Sequence, residues 1–378
     1  MCKKSSPSPV IATPPRLTPV QISQKPPTLL IASTTAPPRF ALPINQAVPQ
    51  QSSRDLAAHS QYRLVPPHQT HLSAAITVFE VGGSFQVFSS GTLYVHDYGG
   101  EGGPIVAIHG LGGAHLNWMP PAPGLTRSGH LIAPDLPGFG YTPPRHSYSI
   151  SSHTRAIVEL LESIGRPAVL MGNSLGALVT IQVASSRPDL VDRLVLVAPA
   201  APPRWDDDRI DRVVAKRLLL QGIPAFGPAA VNRYWKATTP ATQIRDTLAV
   251  VCAHPERIPE SLVEPSLQLA AARRRQPWAL DALVKSGRSA GAMIARRARM
   301  ARTVARISAP TLIVQGSRDR VVPASAIEWL ARVRPDWDLV VMDDSGHCPQ
   351  IEAPEEFVSI YDAWAPKANS KAMPPVAT

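Results

Sequence analysis

A chain of 378 residues is longer than one ordinary domain needs, so a core domain carrying an insertion or a tail is the first expectation. Hydrophobic residues make up 44% and charged residues 17%, enough apolar material for a large core, while the 41 prolines must sit outside helix interiors and central strands. The formal net charge of +10 raises nucleic acid and anionic membrane as partners. No RNP, zinc-finger or helix-turn-helix pattern accompanies the charge, and no apolar run reaches the ~18 residues of a membrane span, so neither partner is expected.

The three cysteines (Cys2, Cys252 and Cys348) are far apart and form no CxxC, which argues against a disulfide framework and fits a reducing, cytoplasmic setting. Lys3-Lys4 is followed by prolines rather than an apolar stretch, so a secretory leader is not expected.

Residues 1–72 read as a disordered tail of Pro, Ser, Thr, Gln and Ala, with pairs such as Pro14-Pro15 and Pro37-Pro38 favouring extended, solvated backbone. From Ala74 the texture changes. Thr77 to Val81 and Leu93 to His96 read as a strand pair joined through a Gly-Ser turn region. Short, uncharged apolar runs follow at Ile105–Ile108, Leu131–Ala133, Ala168–Met171, Leu194–Val197, Thr311–Val314 and Leu339–Met342, the signature of parallel strands buried on both faces. Amphipathic helices are expected at Thr154–Ile164, Leu175–Ser185, Ala324–Val333 and Glu355–Ala363. The alternation defines an α/β fold with helices on both sides of a mostly parallel sheet. One interval, residues 200–302, lacks a buried strand and shows helical patterns broken by prolines. It is too long for a bare loop and reads as a helical insertion dividing the core into residues 73–199 and 303–378.

Four motifs carry chemistry. Gly172-Asn173-Ser174-Leu175-Gly176 follows a strand and opens a helix, so it can lift the Ser174 hydroxyl above the sheet in a tight turn that needs small neighbours. A second match, Gly287-Arg288-Ser289-Ala290-Gly291, has no strand leading into it and reads as an accident on a helical segment. His109-Gly110-Leu111-Gly112-Gly113 ends an earlier strand, and its glycines allow backbone amides to turn toward an oxyanion. The amides of Leu111 (with Gly112 as substitute) and Leu175 are the candidates. Gly316 to Pro323 and Ser345 to Pro349 place Asp319 and His347 on loops at the C-terminal ends of later strands, where open parallel sheets keep their sites. A serine needs a base: His347 would take its proton and Asp319 would orient the imidazole, with Asp343 and Asp344 as rival acids read as structural. Among other histidines, His109 is expected under the glycine loop, and His115, His146 and His153 at the surface or in loops.

Together these residues resemble the α/β-hydrolase superfamily. The likeness rests on His109-Gly110, Asp135-Leu136-Pro137-Gly138-Phe139-Gly140, the turn at Ser174, Gly316 to Pro323 and Gly346 to Phe357, and it runs from about Thr77 onward. It implies a catalytic Ser174, Asp319 and His347, a helical cap over the site formed by residues 200–302, and no metal or cofactor. Serine at the nucleophile position sets the chain apart from the haloalkane dehalogenase and epoxide hydrolase branches. Asn173 resembles the G-N-S-M-G of C–C bond hydrolases acting on meta-cleavage products, but Leu175-Gly176-Ala177 departs from it. The expectation is therefore hydrolysis of a carboxylic ester, with C–C cleavage or cofactor-free perhydrolysis as the alternative and a non-turnover ligand receptor as the reading of another class. Trp205, Trp235, Trp278, Phe226 and Tyr234 in the insertion suggest a small or medium apolar substrate.

Overall fold

The computed structural model describes residues 82–371 apart from 205, 208–209 and 217–225. The expectations for residues 1–72 and for a strand at Thr77 to Val81 lie outside the described residues, as does Trp205. The strands are β1 (Gly83–Phe88), β2 (Gly91–Gly99), β3 (Pro104–Ile108), β4 (His130–Pro134), β5 (Ala168–Asn173), β6 (Val191–Val197), β7 (Thr311–Gly316) and β8 (Asp338–Met342). They form one sheet of order β1-β2-β4-β3-β5-β6-β7-β8. β2 runs antiparallel to β1 and β4, and from β4 to β8 all pairings are parallel. The partner of β2 is thus Gly83–Phe88, a stretch the sequence reading had assigned to the turn region. Pairing across the Ser89-Ser90 turn, Phe88 opposite Gly91, outweighs the weak strand propensity of Gly83 and Ser84.

The helices are α1 (Ala122–Leu125), α2 (Ile150–Ile164), α3 (Leu175–Ser186), α4 (Phe226–Ala237), α5 (Pro240–Val251), α6 (Val263–Arg275), α7 (Ala279–Ala295), α8 (Arg297–Ala305), α9 (Ala324–Val333), α10 (Pro349–Glu352) and α11 (Pro354–Lys371). Side chains alternate across the sheet with the period of two expected of strands. Val106, Ile108, Leu170, Leu194, Leu196 and Ile313 join an apolar layer with α2, α3 and α9. Ile105, Ala107, Val169, Met171, Val195 and Val314 join the opposite layer with Trp118, Phe357, Tyr361 and Trp364. Complete burial of each such aliphatic side chain stabilises the fold by roughly 1.5–3 kcal/mol, which is why the central strands read as unbroken apolar runs.

Two elements differ from expectation. α3 is not amphipathic: nine of its residues from Leu175 to Ala184 are buried, because sheet, α2 and α8 enclose it. β8 is not buried on both faces. As the edge strand it leaves Leu339 41% and Val341 54% exposed. α2 is bounded by local chemistry, Ser149 accepting a hydrogen bond from the Ser152 amide at its start and Gly165 closing it at φ 73°. Between β6 and β7 the described residues hold only helices and turns, α4 to α8. Among the described residues no helix is long and apolar enough to cross a membrane.

Candidate active site

β5 ends at Asn173, and the chain turns directly into α3 through Ser174, whose backbone sits at φ 54°, ψ −111°. That left-handed conformation is rare for a residue with a Cβ and is held from both sides. The Ser174 amide donates to Val197 O at 2.9 Å. The flanking glycines permit close approach: a Cβ on Gly176 would lie 2.4 Å from Ile108 O, and one on Gly172 would lie 2.6 Å from the Gly176 backbone. The result is a serine that keeps accessible surface while Asn173 and Leu175 on either side are buried.

Asn173 anchors this turn to the histidine loop. Its Nδ2 donates to His347 O at 3.1 Å and to Val197 O at 3.3 Å, and its Oδ1 accepts from the Cys348 thiol at 3.7 Å. His347 is buried, and its Nδ1 lies 2.8 Å from Asp319 Oδ2. A carboxylate facing Nδ1 places the ring proton there, leaving the unprotonated Nε2 on the side of the ring away from Asp319. Asp319 is itself held. Oδ1 accepts the amides of Val321 and Val322 at 2.7 and 2.9 Å, and Oδ2 accepts Gln315 Nε2 at 2.9 Å. The rival acids play another part. Asp344 is partly exposed at φ 59° and pairs with His254, Arg257 and Arg318, and those contacts hold its carboxyl down at about 2.

The glycine loop after β3 lies against Ser174, since a Cβ on Gly110 would be 3.4 Å from Ser174 Cβ. Gly112 adopts φ 74°, and the Gly113 amide closes a turn onto Gly110 O at 3.0 Å. Asn117 pins the far side, its Oδ1 accepting the Ala114 amide at 3.0 Å where a Cβ on Gly113 would intrude. His109 lies under this loop as expected and is fully buried. Its Nε2 accepts the Leu136 amide at 3.0 Å, so Nδ1 carries the proton and donates to Gly110 O at 2.7 Å. Burial lowers its pKa to about 4, so the ring is neutral at pH 7.

Two other histidines correct the sequence reading, being wholly buried rather than at the surface. His115 donates its amide and turns Nδ1 to Asp135 Oδ1, at 2.6 and 3.0 Å. Asp135 also accepts the Tyr141 amide at 2.8 Å, and although burial alone would raise its pKa, His115 holds the carboxyl below its ordinary value. The Asp135–Gly140 segment is therefore a structural anchor for the loop beside the site. His153 is drawn inside by α7: its Nε2 lies 2.9 Å from Ser286 Oγ, which donates onward to Tyr148 O at 3.0 Å. His146, by contrast, is exposed.

Ser289 lies inside α7, as expected, and its Oγ accepts the Ile150 amide at 3.0 Å at the start of α2. It borders a cavity of about 210 Å³ whose lining includes Ser149, Arg296 and Arg299 but no His, Asp or Glu that could act as its base.

The segment from β6 to β7 meets the site along two seams. The His347 amide donates to Val251 O at 2.7 Å, and Glu352 Oε1 and Oε2 accept the amides of Gly346 and His254 at 2.6 and 2.8 Å. On the other side, Leu283 and Gly287 of α7 lie against Gly112 and Leu111. Tyr234 turns inward, its hydroxyl donating to Asp246 at 2.8 Å, which makes it a packing residue of the insertion. Gln315 was not legible as a site residue, and Glu352 falls inside the Gly346 to Phe357 motif without having been singled out. The only signal was their place in the strand before Asp319 and three residues after Pro349.

A serine on a strained turn, a buried histidine–carboxylate pair and a glycine loop gather at the C-terminal ends of parallel strands of an α/β-hydrolase fold. The sequence profile of the alpha/beta hydrolase family matches residues 105–360, and the chain belongs to that family. It is 27% identical over 278 residues to an uncharacterized protein of Mycobacterium tuberculosis, covering 70% of this chain and 76% of that protein. It is 28% identical over 303 residues to a 2-hydroxymuconate semialdehyde hydrolase of Pseudomonas sp. (strain CF600), covering 74% and 92%. A serine hydrolase structure from Cycloclasticus zankles shares the fold with a TM-score of 0.61 at 18% identity, covering 75% of this chain and 97% of that one.

Proposed function

We propose that the chain is a serine hydrolase that cleaves carboxylic esters through an acyl-enzyme, with Ser174 as nucleophile, His347 as general base and acid, and Asp319 as orienting carboxylate. The observation that carries this reading is the accessible, strained Ser174 tied through Asn173 to a histidine whose Nδ1 is engaged by Asp319. His347 Nε2 takes the hydroxyl proton as Ser174 Oγ bonds to the ester carbon, and the carbonyl electron pair moves to oxygen. The amides of Leu175 and of Leu111 or Gly112 stabilise that oxyanion. Imidazolium then protonates the leaving alcohol, and water repeats the sequence to release the acid. Asp319, held by the amides of Val321 and Val322 and by Gln315, orients the ring and stabilises the imidazolium.

Residues 200–302 act as the cap, and Leu111, Leu283 and Trp278 favour an apolar acyl group. A cytoplasmic location is part of the same proposal and rests on the free, buried thiols of Cys252 and Cys348. Cell fractionation tests it.

A second reading, hydrolysis of a C–C bond beside a ketone, is favoured by the Pseudomonas relative. It is secondary because both ends of the Asn173 side chain are occupied by the protein, so the motif that suggested it does not reach substrate.

Labelling by a fluorophosphonate probe tests the proposal. Wild type and Ser289→Ala label and Ser174→Ala does not; labelling that survives Ser174→Ala would overturn it. Turnover of 4-nitrophenyl esters against 2-hydroxymuconate semialdehyde separates the two hydrolytic readings. An unlabelled wild type that turns over neither substrate favours a ligand receptor.

A further inference from the structure

The backbone of His347 is bonded on both sides. Its carbonyl accepts Asn173 Nδ2 from the core at 3.1 Å, and its amide donates to Val251 O, the carbonyl that ends α5 in the insertion, at 2.7 Å. Gly346 makes the second contact possible. A Cβ there would lie 2.6 Å from Ala253 N and 2.8 Å from Val251 O, so a residue without a side chain is needed for residues 251–253 to lie against the histidine loop.

Glu352 joins the two segments. The turn of α10 folds back, with the Ile351 and Glu352 amides donating to Cys348 O at 2.9 and 3.1 Å, and this returns the Glu352 side chain to Gly346. One carboxylate oxygen accepts the Gly346 amide at 2.6 Å and the other accepts the His254 amide at 2.8 Å, the first in the histidine loop and the second in the insertion. Glu352 is buried, 3% exposed. Both partners are N–H donors, so the side chain between them must accept at both ends, which a carboxylate does and an amide does not. His254 follows Val251 by three residues, so holding its amide holds Val251 O where the His347 amide meets it. Asp344 adds outer contacts to His254, Arg257 and Arg318, but these partners are partly exposed, where ion pairs are worth little.

We infer that Glu352 is a positioning residue for His347: it clamps the insertion to the histidine loop, so that the insertion helps to hold the base in reach of Ser174. The inference rests on the ester-hydrolase reading and deepens it. Glu352 touches neither substrate nor the reacting atoms and acts through the backbone on either side of His347.

The test measures turnover of 4-nitrophenyl butyrate by the full chain, with kcat taken per site counted by fluorophosphonate titration so that unfolded protein does not enter. Glu352→Gln keeps the volume but sets an NH2 group against one of the two amides, and kcat should fall about 10- to 100-fold with KM within about two-fold. Glu352→Asp is shorter yet accepts at both ends, and should recover part of the loss; a role in packing alone predicts the reverse order, with Gln the milder change. His254→Ala removes the ring contact to Asp344 and keeps the amide bond to Glu352, so its kcat should stay within about two-fold of wild type. Wild-type kcat in Glu352→Gln, Asp worse than Gln, or an equal loss in His254→Ala would each overturn the inference while leaving the hydrolase reading standing. If wild type neither labels nor turns over an ester, that reading fails by itself, and amide hydrogen exchange decides the clamp. Faster exchange at Gly346, His347 and His254 together in Glu352→Gln supports it, and unchanged protection overturns it.

Discussion

The side-chain amide of Asn173 donates 3.1 Å to the carbonyl of His347, so the residue that precedes the strained serine holds the loop that presents the histidine. Strand β5 and the loop after β8 are separated by two intervening strands in the sheet, and this bond joins their ends. Asn173→Ala should therefore lower kcat about 10-fold with little change in KM, and cost roughly 1–3 kcal/mol because the His347 carbonyl loses its partner, while Val197 O keeps the Ser174 amide. Ester kinetics beside urea unfolding measures both. A change confined to KM would mean that Asn173 contacts substrate instead.

Asp319→Asn addresses the histidine's tautomer. Oδ1 must still accept the Val321 and Val322 amides, so the new NH2 would face His347 Nδ1 and force the ring proton to Nε2. A base protonated on the wrong nitrogen cannot take the serine proton, and kcat should fall on the order of 10³- to 10⁴-fold while the fold stands. Loss below about 10-fold would return Asp343 or Asp344 to consideration.

Gly176→Ala probes the turn's packing. The added Cβ would lie 2.4 Å from Ile108 O and 2.6 Å from His109 O, both backbone atoms of the central sheet and glycine loop. Overpacking of this kind costs about 1–3 kcal/mol or more, and the loop carrying Leu111 must shift. The expected outcome is a lower urea midpoint and slower fluorophosphonate labelling; Gly291→Ala, in the interior of α7 where nothing lies within 4 Å, should not lower the midpoint and should leave labelling unchanged.

Acid stability should depend on His153. Burial lowers its pKa to about 3, so the folded state holds it neutral while the unfolded chain titrates near 6.5. Between those values the unfolded state binds the extra proton. The ring's contribution is therefore fully retained above about pH 6.5 and declines as pH falls toward 3, at most about 1.4 kcal/mol per pH unit. His153→Gln can keep the bond to Ser286 without titrating and should reduce the slope of unfolding free energy against pH by about one proton. An unchanged slope would mean that the ring is protonated in the folded state.

A second pH effect has the opposite sense. Asp344 and Glu256 raise the pKa of His254, which is partly buried and bridges the insertion to the loop after β8. Its contribution is full below about 6.5 and is lost as pH rises through the elevated folded value. Asp344 supports the same contact until pH falls through about 2. The difference in Tm between wild type and His254→Ala should be larger at pH 6 than at pH 9.

Much of the fold was legible because buried parallel strands and tight strand-to-helix turns leave local marks. Charge-free runs located β3 to β7, and glycine spacing located Ser174, the Leu111–Gly112 loop and the loops of Asp319 and His347. Chain order alone does not state which carboxylate a histidine will meet. Asp343 and Asp344 are nearer to His347 in sequence, yet the β7–β8 pairing carries Asp319 to it and turns Asp344 outward to Arg257 and Arg318. Strand β1 was missed because its pairing with β2 comes from a tight turn that resembles loop sequence.

What the sequence by itself determined is the set of residues with the chemistry to act and the local backbone that presents Ser174. Both depend on neighbours a few positions away, which is the range over which glycine, strand propensity and helix capping operate. Only the tertiary structure decided which polar groups are taken inside and paired. Nothing in the neighbours of His115 and His153 gives a sign of burial, and they become core residues once Asp135 and Ser286 meet them. Arg273 opens a run of three arginines, of which Arg274 and Arg275 are exposed. Helical phase and the packing of Leu269 against Ala114, Leu116, Cys348 and Ile351 leave that one partly buried, a distinction set by contacts from distant elements.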